Sequence, residues 1–330
     1  MTSRECVIKT IKFKSPERLA YKLPDEYGSD IYRFELPQSP DLRPRNQRKF
    51  TDEWGAIWEN IGNCQVGEVK EYPLKSWDDL NKLKIPNIRE PHRWQGIEKV
   101  RAAAGGKFLL GKGISIYERI HFLRGLENTW MDIYTNRDDI IKLIDILVDM
   151  NMYILDQYAT TGFDGIIWND DWGLQKTLMI PPQLWREIWK PRYEKVYKKA
   201  HEYGILTFLH SCGYIIDILD DLIEAGLDVI HMDQQENMGL ELLGERFGGR
   251  LTFYSPVDIQ TVMNQSDENI RNYCRRMVTT LGRPQGGFIP RWYEDPQGAG
   301  HTQRAIKVMC EEFLRLSAEN NKNYIDAAAS

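Results

Sequence analysis

The feature that most constrains the fold is a regular alternation of short apolar runs with amphipathic helical segments, which starts near residue 107. The apolar runs are 107–111, 162–168, 205–209, 227–230, 250–253 and 287–289, and the helical segments are 138–158, 182–203, 215–225, 239–247, 268–281 and 302–316. Strands that are apolar on both faces and alternate with such helices are typical of a parallel sheet. No glycine-rich phosphate-binding motif follows any of the strands. We therefore predict an α/β fold, a closed (β/α)8 TIM barrel rather than an open nucleotide-binding sheet.

The first hundred residues are less regular and contain many prolines. We predict one barrel domain over residues 1–330, in which 1–100 form an N-terminal arm, lid loops and the first barrel elements, and 101–330 form regular β/α units. The first barrel strand is expected near 18–23. The aromatic segment 52–58 is expected either to cover the barrel as a lid or to plug its edge. Within 182–203, Pro191 predicts a kink or a break.

Composition excludes several classes of function. The chain has 330 residues, is 28% charged and carries a formal net charge of -5, which argues against non-specific nucleic-acid binding. No apolar run approaches the roughly 20 residues that span a bilayer, and the N-terminus lacks the apolar core of a signal peptide. The cysteines are odd in number and scattered (Cys6, Cys64, Cys212, Cys274 and Cys310). This pattern indicates reduced thiols, so we expect a cytoplasmic protein without nucleic-acid or membrane partners.

Polar residues cluster where the predicted strands end. They follow the strands at 169–173, 210–213, 231–237, 254–258 and 290–295. In a barrel of parallel strands these segments all meet at one mouth, where barrel enzymes bind their substrates. We therefore expect a small-molecule site at the C-terminal ends of the strands.

His210 and Cys212 are the main metal-ligand candidates. They are two residues apart at the end of a predicted strand, and strand side chains alternate, so both point to one face. Imidazole nitrogen and thiolate sulfur are ligands that zinc prefers. The alternative is that His210 is a satisfied core histidine.

The acidic candidates are Asp170, Asp171 and Asp233. Asp170 and Asp171 point to opposite faces if the chain is extended, so one faces the pocket while the other caps a following turn or helix. We favour Asp171 as the pocket-facing residue. Asp233 is expected in the mouth as a ligand, a base or an orienting group, whereas His231 faces either the mouth or the outside of the barrel.

Two further pairs have open roles. Arg291 either holds an anionic group of a substrate or pairs with an acidic neighbour such as Glu294. Glu118 and Arg119 follow an earlier strand, where a structural ion pair is the favoured role over a contribution to the site.

Several blocks of the sequence resemble the uroporphyrinogen decarboxylase superfamily, which includes cobalamin-dependent methyltransferases. The resemblance covers almost the whole chain and is carried by residues 3–18, 122–128, 170–193, 210–213, 244–248 and 257–258. It implies the (β/α)8 barrel and is closest to the methyltransferase-like members.

The resemblance also implies a metal. The methyltransferases of this superfamily bind zinc through a His-x-Cys pair and a later cysteine, and His210 and Cys212 match the pair. The later cysteine is missing from the corresponding loop, 286–293. Either Asp233, Glu118 or water completes the zinc shell, or no metal binds.

The decarboxylases of the superfamily carry an arginine-rich N-terminal segment that holds substrate carboxylates. This chain lacks that segment, since Arg43, Arg45 and Arg48 do not reproduce its pattern. A porphyrinogen with many carboxylates requires such a positive cradle, so the decarboxylase function is disfavoured.

The resemblance therefore favours a corrinoid-dependent methyltransferase, which moves a methyl group between a small methoxylated or methylthio substrate and a corrinoid protein. A decarboxylase of a tetrapyrrole or an aromatic acetate, and a non-catalytic tetrapyrrole- or corrinoid-binding protein, are the alternatives. Zinc and a partner-borne corrinoid are the expected cofactors. Barrel enzymes of this kind often form homodimers, which is a further expectation, although the sequence identifies no interface. We assign the site residues as follows: His210 and Cys212 as metal ligands; Asp171, Asp233, Arg291 and Tyr293 in catalysis; Asp170, Trp172 and Trp292 in substrate binding.

Overall fold

The computed structural model describes residues 1–37, 48–60 and 67–329. Cys64, Arg43 and Arg45 lie outside the described residues. Helices and strands alternate along most of the chain, as the sequence predicts. The strands are β1 (Ile31–Phe34), β2 (Lys49–Thr51), β3 (Ile57–Glu59), β4 (Glu68–Glu71), β5 (Phe108–Lys112), β6 (Gly165–Asn169), β7 (Leu206–His210), β8 (Val229–His231), β9 (Thr252–Ser255) and β10 (Phe288–Pro290). The helices are α1 (Ser3–Ile11), α2 (Pro91–Trp94), α3 (Ile97–Ala103), α4 (Glu118–Arg124), α5 (Leu126–Thr135), α6 (Arg137–Thr161), α7 (Pro182–Ile188), α8 (Lys190–Glu202), α9 (Ile216–Ala225), α10 (Leu240–Phe247), α11 (Asp267–Thr280) and α12 (Gln303–Ala329).

The main sheet is parallel and curled. Its described strands follow the order β1-β5-β6-β7-β8-β9-β10, and every neighbouring pair is parallel. Each strand from β5 onward coincides with a predicted apolar run, displaced by one to three residues toward the C-terminus. The fold is therefore TIM-barrel-like, which confirms the predicted class.

A short extended segment around Lys22 takes the place of an eighth regular strand. Lys22 forms a parallel bridge with Arg291, beyond β10, and an antiparallel bridge with Ser29, just before β1. Its N–H donates to the Pro290 carbonyl at 3.0 Å, and its carbonyl accepts the Trp292 N–H at 3.0 Å. This segment lies within the predicted first strand, 18–23, and spans the gap between the two edges of the sheet.

The interior of the barrel is apolar toward the N-terminal ends of its strands. Ile31, Phe108, Leu110, Ile167 and Phe208 belong to one buried cluster at the barrel axis. Cys6, Val7 and Ile11 of α1 join the same cluster, so this helix closes the N-terminal end of the barrel. A capping box, in which Thr2 and Glu5 exchange hydrogen bonds, begins the helix.

The helices pack around the sheet as the apolar stripes predict. The predicted helix over 182–203 is divided at Trp189 into α7 and α8, and Pro191 stands in the first turn of α8. A proline is tolerated there because the first N–H groups of a helix have no intrahelical partner. The break predicted at Pro191 is confirmed.

A small antiparallel sheet of β2, β3 and β4 is an element that the sequence did not predict. Trp58 of β3 packs edge-on against Phe122 of α4, with ring centroids 4.7 Å apart. Arg119 of α4 bonds Asp52 at 3.0 Å and lies over the Trp54 ring. The aromatic segment 52–58 is thus an ordered element docked on α4, and Arg119 forms the favoured structural ion pair.

Two global expectations concern thiols and membranes. Cys6, Cys212, Cys274 and Cys310 are all free thiols. Among the residues that the structure describes, no helix has the length and apolar character needed to cross a membrane.

Candidate active site at the strand ends

The polar segments predicted at the strand ends converge at one end of the barrel. The parallel register pairs Asn169 of β6 with His210 of β7, and His210 with His231 of β8. Because side chains alternate along a strand, His210 and His231 share the inward face with the apolar residues below them. His231 therefore faces the mouth, whereas Met232 belongs to the core outside the sheet.

Asp171, His210 and Cys212 form a compact set of donors. The His210 Nε2 atom lies 3.5 Å from the Cys212 Sγ atom and 3.5 Å from the Asp171 Oδ1 atom. All three residues retain some solvent exposure, and each offers a metal-ligand atom within 4.8 Å of the others. Nitrogen, sulfur and carboxylate oxygen at this spacing fit a zinc ion.

Backbone contacts between two loops hold this set together. The Cys212 N–H donates to Asp171 Oδ1 at 2.7 Å, and the Trp172 N–H donates to Ser211 Oγ at 3.0 Å. Gly173 lies against Gly213 so closely that a Cβ on Gly173 would stand 2.5 Å from the Gly213 carbonyl carbon. Only a glycine pair permits this approach, which brings the Asp171 carboxylate to the Cys212 loop.

His231, Asp233 and Arg291 form a second polar set beside the first. His231 Nε2 lies 2.9 Å from Asp233 Oδ1, and the Arg291 guanidinium contacts both ring nitrogens of His231. The His231 and His210 ring centroids are 4.2 Å apart. The two sets therefore share one wall of the mouth.

The charges in the second set follow from these contacts. Burial and the nearby Arg291 cation lower the pKa of His231 well below its usual value. Burial opposes ionisation of Asp233, but the hydrogen bond with His231 and the charge of Arg291 outweigh it and lower the pKa of Asp233. An ionised Asp233 fits the predicted role of an orienting group better than that of a proton donor.

The first set lies in an acidic surrounding. Burial and the charges of Asp171, Asp233 and Glu118 raise the pKa of the Cys212 thiol well above its usual value. Burial and the charges of Asp171 and Asp170 likewise raise the pKa of Glu118. Glu118 is thus an acidic neighbour of the donor set, in addition to opening α4.

Asp170 has a different position from Asp171. It is fully buried and accepts hydrogen bonds from the N–H groups of Ile116, Tyr117 and Glu118 and from the Tyr193 hydroxyl at 2.7 Å. These bonds satisfy the free N–H groups at the start of α4. Asp171 faces the mouth, as favoured from the sequence, whereas Asp170 caps the preceding helix α4 and not a following turn or helix. The full burial of Asp170 leaves no surface for the substrate contact that the sequence analysis assigned to it.

The aromatic candidates are mostly packed. Trp172 is fully buried, stacks on Tyr117 with ring centroids 3.7 Å apart, and donates from Nε1 to the Tyr193 hydroxyl. Trp292 is half-buried and packs against the large core cluster. Tyr293 is half-buried, and its ring meets the His301 ring edge-on. No substrate contact of these three side chains follows from the geometry alone.

A cationic group beside the second polar set was only partly predicted. Arg291 is buried and lies 3.7 Å from Glu294, the neighbour that the sequence suggested. Lys22 and Arg33 also contact Glu294, at 3.7 Å and 2.9 Å. The sequence carried one usable signal for Arg33, since it follows Ile31 by two residues in an apolar stretch, but the strand itself was not predicted.

A separate polar cleft of about 480 Å³ lies beside α11 and is lined in part by Glu236, Tyr273 and Arg276. Neither the Asp171–His210–Cys212 set nor the His231–Asp233–Arg291 set lines this cleft. We place the candidate site at the strand ends because that region holds the buried ionisable groups and the metal-ligand geometry.

Comparisons with known proteins agree with this fold. The model of the uroporphyrinogen decarboxylase (URO-D) family matches residues 61–290. A solved methyltransferase from Methanosarcina mazei superimposes with a TM-score of 0.68 at 14% sequence identity, over 96% of this chain and 99% of that one. A D-psicose 3-epimerase from Clostridium cellulolyticum H10 gives a TM-score of 0.42 at 11% identity, over 74% and 87% of the two chains, which is too low to carry an argument. No curated protein matches the sequence significantly.

Proposed function

The chain belongs to the uroporphyrinogen decarboxylase family, and on that premise we propose that it is a methyltransferase that uses a corrinoid carried by a partner protein. It would move a methyl group between that corrinoid and a small methoxylated or methylthio substrate. The observation that carries the proposal is the Asp171–His210–Cys212 donor set at the barrel mouth.

The donor chemistry of this set fits zinc. His210 supplies a nitrogen, Cys212 a sulfur and Asp171 an oxygen, and in this family's methyltransferases a second sulfur completes the protein ligands. In this chain the Asp171 carboxylate stands next to the Cys212 backbone and would take the place of that missing cysteine, instead of the Asp233, Glu118 or water ligand considered from the sequence. When bound, zinc would act as a Lewis acid on the oxygen or sulfur that carries the methyl group.

A second triad, His210–His231–Asp233, also has metal-ligand spacing. We disfavour it as the metal site because the Arg291 guanidinium contacts the His231 ring, so a cation placed there would meet a permanent positive charge. Asp233 and Arg291 would instead fix the orientation of His231, which stands against His210.

In the demethylation direction the bond between the methyl carbon and the donor oxygen or sulfur breaks, and its electron pair stays on the heteroatom. A reduced corrinoid held by the partner protein would accept the methyl group and would supply the electron pair of the new bond. The leaving heteroatom is released as an anion or takes a proton from an acid. Glu118, beside Asp171 at the mouth, is the residue that we propose for that proton.

Metal analysis tests the carrying observation. Purified full-length protein loaded with zinc should hold about one ion per chain, and His210→Ala and Cys212→Ala should each lose it. Cys310→Ala is the matched control, since this buried thiol of α12 lies outside the site and its removal should leave the zinc content unchanged. Equal zinc retention in all three variants would overturn the metal site.

A second assay tests the reaction. The wild-type protein is incubated with reduced cobalamin and a panel of methoxylated and methylthio compounds, and the corrinoid spectrum is followed. Formation of methylcobalamin supports the proposal. Release of carbon dioxide from uroporphyrinogen, with an unchanged corrinoid spectrum, would instead establish the decarboxylase.

A further inference from the structure

Three cations lie in the interior of the barrel at its mouth, where β1 and β10 meet the extended segment around Lys22. Lys22 and Arg291 pair in the parallel bridge that closes the sheet, and each stands two residues beyond a buried interior residue, Ala20 and Ile289. Arg33 has the same relation to Ile31 in β1. Because strand side chains alternate, these three cations belong to the inward face, directly above the apolar core.

The three cations share one acid. Arg33 Nη1 bonds Glu294 Oε2 at 2.9 Å, whereas Lys22 Nζ and Arg291 Nη2 remain 3.7 Å from Glu294 Oε1. A distance of 3.7 Å is too long for a hydrogen bond, so both groups keep donor capacity. The side chains of Lys22 and Arg291 are only 14% and 4% exposed, so both charges are largely withdrawn from solvent.

A buried neutral donor lies beside these cations. Tyr254 is fully buried, its ring is 5.1 Å from the Arg291 guanidinium carbon, and its hydroxyl has no hydrogen-bond partner among the described residues. An unpaired buried hydroxyl is costly unless a ligand or water satisfies it. Tyr254 is therefore a second, independent indication that something polar binds here.

We propose that Lys22, Arg33 and Arg291, with the Tyr254 hydroxyl, form an oxyanion-binding arc that holds a carboxylate or sulfonate of the substrate. The inference rests on the proposed function for what binds at the other end of the substrate, where the methyl-bearing atom would meet the Asp171–His210–Cys212 set. Arginine forks and tyrosine hydroxyls are well suited to oxyanions.

The spacing limits the size of the substrate. Arg291 contacts the His231 ring, and that ring lies 4.2 Å from the His210 ring, so one imidazole separates the arc from the donor set. A single aromatic ring that carries an acid group at one end and a methoxy group at the other has this reach. Glu294, which is 38% exposed, would compete with the incoming anion for Arg33 and Lys22.

Binding measurements without corrinoid isolate this inference from the methyl transfer. Full-length protein is titrated calorimetrically with 4-methoxybenzoate, 4-methoxybenzenesulfonate and the neutral 4-methoxybenzamide. At least one of the two anions should bind about tenfold more tightly than the amide, which is the size of one charged contact. The preferred anion identifies the oxyanion as carboxylate or sulfonate.

Substitutions at the cations and at Glu294 should change the affinity for the anion in opposite directions. Arg33→Gln and Lys22→Met should each weaken binding of the anion about tenfold and leave the amide unchanged. Glu294→Gln should strengthen binding of the anion several-fold, because the competing carboxylate is removed. Arg137→Gln, which breaks an exposed 2.8 Å pair with Glu187, is the matched control and should change neither ligand. Thermal melts confirm that each variant is folded.

The outcomes are separable. Equal affinity for anions and amide, absence of saturable anion binding, or equal loss of anion and amide affinity in Arg33→Gln would overturn the arc. Anion binding that depends on Arg33 and Lys22 supports it even if no methyl transfer is detected, in which case only the proposed function fails.

Discussion

The two ends of the barrel differ in how completely their buried polar groups are hydrogen-bonded. At the N-terminal end, Asp164 precedes β6 and accepts bonds from Arg4, Arg101 and the Leu109 N–H. Asp30 precedes β1 and holds both guanidinium nitrogens of Arg18.

At the mouth the buried polar atoms are incompletely paired. Asn169 Oδ1, His210 Nδ1 and the Tyr254 hydroxyl have no hydrogen-bond partner among the described residues. Saturated groups stabilise the fold, whereas unpaired ones are tolerated where a ligand is to be bound. The difference separates the stabilising end of this barrel from its reactive end, and substitutions can test it.

The largest expected effect lies at the N-terminal end. Asp164→Ala removes a carboxylate that is 2% exposed, so Arg4 and the Arg101 Nη1 atom lose their ion pair and the buried Leu109 N–H loses its acceptor. We expect the free energy of unfolding to fall by about 3 kcal/mol, measured by chemical denaturation.

Asp145→Ala is the control for Asp164. Asp145 pairs with Arg192 but its side chain is 54% exposed, so its loss should cost less than about 1 kcal/mol. Similar losses in the two variants would contradict the view that the N-terminal end is a saturated, stabilising network.

The next effect separates stability from site geometry. Gly173→Ala forces a Cβ against the backbone of Gly213 and Tyr214, and Gly244→Ala forces one against the Thr280 carbonyl between α10 and α11. Both should lose about 1–3 kcal/mol of stability from overpacking. Only Gly173→Ala should also weaken zinc binding, by about tenfold or more, because it displaces the Cys212 loop.

Equilibrium zinc titration of the two glycine variants decides the point. If Gly244→Ala weakened zinc binding as much as Gly173→Ala, general loosening of the barrel would explain both. The contact between Gly173 and Gly213 would then have no special role in the site.

How far the sequence predicted this arrangement depends on the range of the interactions involved. The strands from β5 onward were predictable because apolar runs and glycines mark them locally, and strand alternation brought His210 and Cys212 together as expected. β1 was missed because it is only four residues long and contains Arg33. Its role emerges only when the sheet closes and brings it near Glu294, 261 residues away in the chain.

The choice between Asp170 and Asp171 shows the same limit. Alternation predicts that they face opposite ways, but the N-terminus of α4 decides which one is buried, and that helix begins 52 residues earlier. Likewise, the approach of Gly173 to Gly213 depends on two loops that follow different strands. Local pattern predicts the strands and the ligand pair, whereas contacts between loops complete the site.

Two buried tyrosines allow a hydrogen-bonded hydroxyl to be compared with one that has no partner among the described residues. Tyr193 and Tyr254 are both fully buried, but the Tyr193 hydroxyl donates to Asp170 and accepts from Trp172. Tyr193→Phe should therefore lose about 1–2 kcal/mol of stability. Tyr254→Phe should be neutral or stabilising, since its hydroxyl has no partner among the described residues. Denaturation curves that show a comparable loss for Tyr254→Phe would remove Tyr254 from the unpaired groups of the mouth.

The smallest effect concerns pH at the N-terminal end. His201 Nε2 lies 2.8 Å from Asp228 Oδ2, and this hydrogen bond raises the pKa of His201 above its usual value. The folded state therefore binds the His201 proton more tightly than the unfolded chain. The resulting stabilisation is complete below the unfolded pKa of about 6.5 and is lost as pH rises through the raised pKa. Because the ring is 41% exposed, screening limits the effect to roughly 0.5 kcal/mol. Unfolding free energies of the wild type and His201→Gln, measured from pH 5.5 to 9, should therefore converge as the pH rises. A difference that stays constant over that range would mean that the pair contributes through packing alone. The charge of His201 would then add nothing to the stability of the N-terminal end.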